Sequence, residues 1–280
     1  MPIRLSLALV VAAILISAAG APRAHSQEVV RFQTTVGDFD MVLNPTDNPV
    51  FDGHVENMLH YIETDAYRGS WINRAADNFV LQMGGFFSHT KRVPIDISST
   101  RPVATIDPVE GEPASENPGL SNTLGTVAMA LSGGSGGTNQ DSGTSSFFVN
   151  LTDNNFLDAD FTVFAAIPDM TTINKIMALT QVDLTADPDF GAGSGNLAFS
   201  DVALDENNFQ VFIKRTFVIN DPLARAKAIA GVQSIMAASQ AGGGDGDAAF
   251  APLGGGIVPE PTTATILLIG LTVLGLRRRR

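Results

Sequence analysis

Apolar residues alternate with polar ones in a series of short runs along this chain, and they recur at helical spacing in only a few places. In residues 29–43, VVRFQTTVGDFDMVL, Phe39, Met41 and Leu43 alternate with charged or polar neighbours, the period-two pattern of a half-buried strand. A turn at Val36-Gly37-Asp38 divides this stretch into two strands. Residues 51–63 instead place Val55, Met58, Leu59 and Ile62 at i, i+3, i+4 and i+7, one face of an amphipathic helix. Strand-like runs follow at 70–75, 79–84, 126–131, 146–151, 161–167 and 210–219, and 171–179 reads as a second helix. Many short strands with two helices predict a mainly β fold, a closed antiparallel β-barrel capped by those helices.

Two stretches break the order. Residues 88–118 are long, proline-bearing and weakly periodic, hence loop. Residues 185–208 are rich in Gly, Asp and Asn and read as an inserted loop. Asp183, Asp187, Asp189, Asp201 and Asp205 in and beside it are potential calcium ligands, but their spacing matches no EF-hand loop, so a solvated acidic loop is the better reading. Gly133 to Gly137, GGSGG, matches the nucleophile-elbow pattern G-x-S-x-G, yet TNQDSGTSS after it reads as loop where an elbow needs a helix. From Asp221, DPLARAKAIAGVQSIMAASQ is alanine-rich and reads as helix, and AGGGDGDAAFAPLGGG after it as a flexible linker.

The two ends carry transport signals. MPIRLSLALVVAAILISAAGAPRAHSQ combines Arg4, an apolar stretch from Leu5 to Ala19 and small residues near Ala24 to Ser26, the pattern of a secretory signal peptide. At the other end, Val258 to Pro261 precedes an uncharged run, Thr262 to Leu276, and then Arg277 to Arg280. That run makes roughly 22 Å of helix, short of the ~30 Å hydrocarbon core. It suits transient membrane contact, with the arginines on the cytoplasmic side. This tripartite tail resembles the PEP-CTERM sorting signal of Gram-negative bacteria, which implies cleavage by an exosortase. The chain therefore divides into a signal peptide (1–26), a folded body (27–220), a helix and Gly-rich linker (221–257) and a sorting signal (258–280). Signal peptidase and exosortase are the implied export partners. The expected destination lies across the inner membrane: periplasm, cell surface or extracellular matrix.

Charge narrows the partners. Of 17 basic and 29 acidic residues, the signals hold six basic and one acidic, leaving 11 against 28, a net −17. Such a surface repels nucleic acid and anionic lipid. The absence of cysteine excludes disulfides, thiolate nucleophiles and thiolate metal sites. His25, His54, His60 and His89 show no metal-ligand spacing, so neither metal nor cofactor is expected.

The candidate chemistry lies in the order of several blocks: TTVGDFDMVL; the helix with Val55-Glu56-Asn57-Met58-Leu59; Tyr67-Arg68-Gly69; INRAADNFVLQMGG from Ile72; SNTLGTVAMAL from Ser121; and TSSFFVNLTDNNFLDADFTVFAAI from Thr144. In order and spacing these resemble the cyclophilin family of peptidyl-prolyl cis-trans isomerases, over about residues 29–180 and, through the last strand, to 219. The resemblance implies a cyclophilin-like barrel. It also implies a catalytic arginine at Arg74, a proline-pocket phenylalanine at Phe79, Val80 in place of a methionine, and the glutamine of a Q-G-G motif at Gln82. Met129 and Ala130 match an M-A block, and Phe147-Phe148 a Phe-Phe pair with Phe148 as pocket wall. Phe156 and Leu157 match an aromatic-Leu-Asp block, and Phe161 stands where the family often has histidine or tyrosine.

These residue types suit the chemistry. An X–Pro bond resists rotation by ~18–20 kcal/mol, while its cis and trans states differ by only ~0.5–1 kcal/mol. A catalyst must hold the ring, let the carbonyl swing and stabilise the twisted state. Phe79, Phe148 and Leu157 offer an apolar pocket. A guanidinium donating to the prolyl nitrogen favours its pyramidal form, which exists only when the amide is twisted, so that binding energy goes to the transition state. Gln82 orients Arg74 or bonds the substrate backbone. The expected function is isomerisation of X–Pro bonds in proline-containing segments of exported or cell-surface proteins, without cofactor. The chain departs from the family pattern at Asn73 (usually histidine), Ser146 (glutamine), Leu131 (asparagine) and Phe161, and has an extra residue between Gln82 and its glycines. Those departures raise an alternative: a catalytically weak cyclophilin-like peptide-binding protein of the cell surface or matrix.

Overall fold

The computed structural model describes residues 27–88, 100–102, 119–134, 137–184 and 197–242. Both transport signals, linker residues 243–257, His89, Asp187 and Asp189 lie outside them. In chain order the elements are β1 (Glu28–Thr34), β2 (Asp38–Leu43), α1 (Asp52–Glu63), β3 (Ser70–Ala76), β4 (Val80–Ser88), β5 (Thr100–Pro102) and β6 (Thr126–Met129). There follow β7 (Ser132–Gly134), β8 (Gly137–Asn139), β9 (Phe147–Asn150), β10 (Val163–Ala166), α2 (Thr171–Met177), β11 (Thr180–Val182), β12 (Val202–Leu204), β13 (Ile213–Val218) and α3 (Pro222–Gly242).

Alternation builds the barrel. Where β1 pairs with β2, Phe32 faces Phe39 and the rings stack at 5.1 Å, while on the other face Arg31 meets Asp40 through two bonds of 2.7 and 2.9 Å. Antiparallel pairing continues in the order β13-β1-β2-β10-β6-β9-β4-β3. The ring comes round to itself where the start of β13 meets β3. There Gly69 N–H donates to Ile213 C=O at 2.8 Å and Ile72 N–H to Val211 C=O at 3.0 Å. Phe32, Met41, Leu81, Phe147 and Val149 fill the interior and are fully buried. This is the barrel the alternation predicts.

The helices hold the ends. On α1, Asn57 donates to the Thr144 carbonyl at 2.7 Å; nearby, Tyr67 OH donates to Ser145 C=O at 2.9 Å. Together they fix the approach to β9. On α2, Thr172 Oγ1 donates to Asp38 C=O at 2.6 Å, beside the β1–β2 turn. The helix expected beyond Asp221 is more than an appendage. It packs on β1, β2, β6 and β10 through Ala228, Val232, Met236 and Ser239, one stripe at spacings of four, four and three. Among the described residues, no helix is long and apolar enough to cross a membrane.

Three expectations of loop need correction. Thr100–Pro102 adds to the edge of β4. β8 begins on the last glycine of the GGSGG run and pairs with β7, so a strand stands where a nucleophile elbow needs a helix. In the 185–208 stretch, β12 pairs antiparallel with β11. There Leu184, Ala198, Phe199, Val202 and Leu204 pack with Trp71, Phe86 and Phe212 into a second apolar cluster, Trp71 and Phe199 stacking at 5.6 Å. Trp71 lies on the face of β3 opposite Ile72, so this cluster sits on the outside of the barrel wall. Its composition hid this: the polar residues are at its surface, and its three-residue strand is too short to show a period.

Candidate active site

Four neighbouring strands set one residue each in a row. Arg74 on β3 faces Gln82 on β4, Gln82 faces Phe148 on β9, and Phe148 faces Ala128 on β6. With strands ~4.8 Å apart, the backbones of Arg74 and Phe148 lie roughly 10 Å from each other. Alternation decides what reaches this row. Phe147 turns inward, meeting Phe32 and Tyr67 at 5.5 and 6.0 Å, while Phe148 turns outward and meets Phe161 edge-on at 5.6 Å. Met129 is in register with Phe147 and its side chain packs by Gly143, away from the row. Ala130 follows it, donating its N–H to Ser146 C=O at 2.9 Å.

The extra residue after Gln82 is absorbed in a bulge. From Ser70 to Ile72 β3 advances two residues, while β4 advances four, from Met83 to Phe87. Gly84 occupies the bulge at φ +83°, and a Cβ there would stand 2.6 Å from Ser145 C=O. β4 gains two residues there and gives one back between Ile72 and Arg74, where β3 advances two residues against one from Met83 to Gln82, so Gln82 stays opposite Arg74.

Beside the row lie the remaining aromatic residues. Phe79 and Phe156 stack at 6.0 Å, and the Arg74 guanidinium carbon stands 5.3 Å from the Phe79 centroid, within cation–π range. Phe156 is 63 % exposed and forms a lip, whereas Val80, Phe148, Leu157 and Phe161 are buried behind it. Gln82 Nε2 donates to Ser146 Oγ at 3.4 Å, so the serine that replaces the family's glutamine still touches the row.

A buried polar network, not anticipated from the sequence, holds this aromatic loop. Asn154 Nδ2 donates to Phe79 C=O and to Asn150 Oδ1, both at 2.9 Å. Asn150 Nδ2 donates to Asn122 Oδ1 at 3.0 Å, and Asn122 Nδ2 to Phe161 C=O at 3.0 Å. The Asp158 carboxylate accepts from Asn122 N–H at 2.7 Å and from Ser121 Oγ at 2.5 Å. The signal for it was the cluster of Asn and Asp in TDNNFLD, polar residues too dense for an ordinary turn.

Arg74 has a different setting. Its Nε is buried and has no hydrogen-bond partner among the described residues. Burial pulls its pKa down from the ordinary value, and the Asp201 carboxylate pushes it back up. Asp201, read from the sequence as part of a solvated loop, is pinned beside β3 because its C=O accepts from Ala75 N–H at 2.7 Å. Asn73, which replaces the family's histidine, donates to Ala198 C=O at 2.8 Å and ties β3 to the same segment. A buried unpaired donor costs ~1–3 kcal/mol, and because Nε itself is closed off, an arriving acceptor is met by the terminal guanidinium N–H groups.

Comparison with known proteins follows the same lines. Residues 29–190 match the cyclophilin type peptidyl-prolyl cis-trans isomerase/CLD family, and residues 258–280 match the PEP-CTERM protein-sorting motif. The chain is 33 % identical over 175 residues to a peptidyl-prolyl cis-trans isomerase of Acinetobacter baylyi, covering 60 % of this chain and 80 % of that one. It is 31 % identical over 157 residues to peptidyl-prolyl cis-trans isomerase B of Escherichia coli K12, covering 53 % and 83 %. A solved cyclophilin type peptidyl-prolyl cis-trans isomerase of Cryptosporidium parvum aligns at 15 % identity with a TM-score of 0.44, covering 70 % of this chain and 99 % of that one.

Proposed function

This chain belongs to the cyclophilin-type peptidyl-prolyl cis-trans isomerases, and we propose that it works on the outer face of its barrel through Arg74 and the pocket of Phe79, Phe148 and Leu157. The enzyme interconverts cis and trans X–Pro bonds, and its sorting motif marks it for export and surface sorting in a Gram-negative bacterium, with exosortase processing of the tail.

The prolyl ring packs against Phe148 and Leu157, with Phe79 and Phe156 at the entrance. Held there, the ring stays still while the preceding carbonyl rotates. At the twisted geometry the prolyl nitrogen recovers its lone pair and accepts from Arg74. In the planar ground state that lone pair is delocalised and the bond is absent, so Arg74 stabilises the transition state selectively. Gln82 positions the substrate backbone. Val80 backs the pocket, Phe161 supports Phe148, and Ala130 borders the neighbouring subsite. The observation that carries this reading is the Arg74 guanidinium, which stands beside the Phe79 ring and makes no hydrogen bond among the described residues. That donor persists despite the departures at Asn73, Ser146, Leu131 and Phe161, so a binding-only protein is not favoured. Signal peptidase cuts near Ser26, and exosortase near Pro259-Glu260-Pro261 after transient membrane contact of 262–276. The acidic body is then left in the periplasm, on the surface or in the matrix. An isomerisation assay on an uncharged Ala-Pro tetrapeptide tests the activity: turnover above the uncatalysed rate is expected, and its absence in folded protein overturns the reading.

A further inference from the structure

The end of α3 lies against the loop that carries the pocket lip. Ser239 Oγ donates to Ser121 C=O at 2.6 Å, and Asn155 Nδ2 donates to Gly242 C=O at 3.4 Å. Asn155 directly precedes Phe156 and Leu157, so the proposed pocket is at most ~7.6 Å of backbone away, two Cα steps. The same edge carries two of the large apolar side chains that stay exposed: Phe156 at 63 % and Leu124 at 52 %. Leu124 is held there by a 3.1 Å bond from its N–H to Asp153 Oδ1.

The chain that continues from Gly242 is unusual in composition. Gly243-Gly244-Asp245-Gly246-Asp247 and Gly254-Gly255-Gly256 bracket a single apolar island, Ala248-Ala249-Phe250-Ala251-Pro252-Leu253. That island is centred on an Ala–Pro bond. It lies upstream of Pro259-Glu260-Pro261 and so remains in a chain cut there. Nine peptide units separate Gly242 from Ala251, a reach of up to ~30 Å. The exit point, the reach and the apolar proline-centred sequence all fit one occupant.

We infer that the groove takes its own Phe250-Ala251-Pro252-Leu253 segment in cis, with Pro252 in the ring pocket and Phe250 or Leu253 against Phe156 and Leu124. This rests on the groove assignment above. A short tether gives an effective concentration in the millimolar range. The segment therefore acts as a built-in competitor that a stronger client must displace, and its Ala251–Pro252 bond is itself turned over.

The test compares the full chain with its Pro252→Ala variant, in which the ring alone is lost. The first reading is the amide NMR spectrum: Pro252→Ala should move the signals of Asn155, Phe156 and Leu157 by the same amount at any protein concentration. The second is turnover of an Ala-Pro tetrapeptide: KM should fall about twofold or more with kcat unchanged, as expected when a ligand at millimolar effective concentration is removed. The third is exchange between cis and trans Ala251–Pro252, which should be fast in the parent and fall toward the uncatalysed ~10–100 s in Arg74→Ala. Unmoved site amides together with an unchanged KM overturn the inference. Moved amides in a protein without tetrapeptide turnover support docking of the tail while overturning the catalytic reading, so the two fail separately.

Discussion

The two halves of the groove are built in opposite ways. On the aromatic side, Phe79 comes from one block of the barrel and Phe148, Leu157 and Phe161 from another, and the Asn122–Asn150–Asn154–Asp158 network satisfies the loop around them. On the guanidinium side, Arg74 keeps an Nε without a hydrogen-bond partner among the described residues, and the carboxylate near it comes from a segment 127 residues downstream, at Asp201. Satisfied packing makes a pocket that treats the planar and twisted amide alike. An unsatisfied donor makes a site whose interaction waits for an acceptor that only the twisted amide provides. Uniform binding lowers KM, and differential binding raises kcat. The contrast thus assigns recognition to one half and catalysis to the other.

The strongest way to break this division is to destroy the register that aligns the halves. Gly84→Ala puts a Cβ 2.6 Å from Ser145 C=O at φ +83°. A loss of roughly 3 kcal/mol or more is expected, with activity falling in both halves together. Urea unfolding reads it directly; an unchanged midpoint would show that the bulge tolerates a side chain.

A pH series separates stability from catalysis. His54, buried beside Phe164, has its pKa lowered from 6.5 to about 4 by burial. Because the folded pKa lies below the unfolded one, its contribution is complete above pH 6.5. It is lost as pH falls through 4, about 3 kcal/mol in all. Thermal melts from pH 7 to 4 should show the drop, and His54→Leu should flatten it. Turnover of an uncharged substrate should stay nearly level from about pH 6 to 8.5, since arginine remains charged there. A bell-shaped rate profile in that window points to acid–base chemistry instead.

Within the groove, Phe148→Ala should act on binding. Removing a pocket wall costs ~1–3 kcal/mol, so KM should rise about 10- to 100-fold with a smaller change in kcat. A kcat effect larger than the KM effect would place Phe148 in the catalytic half. Asp201→Asn is the mildest change: the opposing carboxylate is lost and the Arg74 pKa moves further down, while the guanidinium stays charged. We expect kcat to change only a few-fold, with KM constant. A loss as large as that of Arg74 itself would make Asp201 part of the catalytic machinery.

The same contrast governs how much could be read from the chain. The barrel strands, α1 and α2 were legible because each buries one face, which writes period two or 3.6 into the sequence. The aromatic residues were legible as spaced blocks, since neighbouring strands contribute them in sequence order. Met129 was grouped with Ala130 because spacing does not say which way a strand residue points; pairing with Phe147 does. Asp201 was read as solvated loop because Arg74, whose charge it faces, is remote in sequence and β12, the strand that follows it, is only three residues long. The packing of α3 was hidden in an alanine-rich run, where small residues make a buried stripe look like the rest of the helix.

The kcat–KM split of Arg74→Ala on an Ala-Pro tetrapeptide tests the division most directly, with circular dichroism to establish that the variant is folded. A charge-assisted bond made only at the twisted geometry is worth ~3 kcal/mol or more, so kcat should fall at least ~100-fold while KM stays within about twofold. An unchanged kcat with a raised KM would contradict the account, since Arg74 would then hold the ground state rather than the transition state.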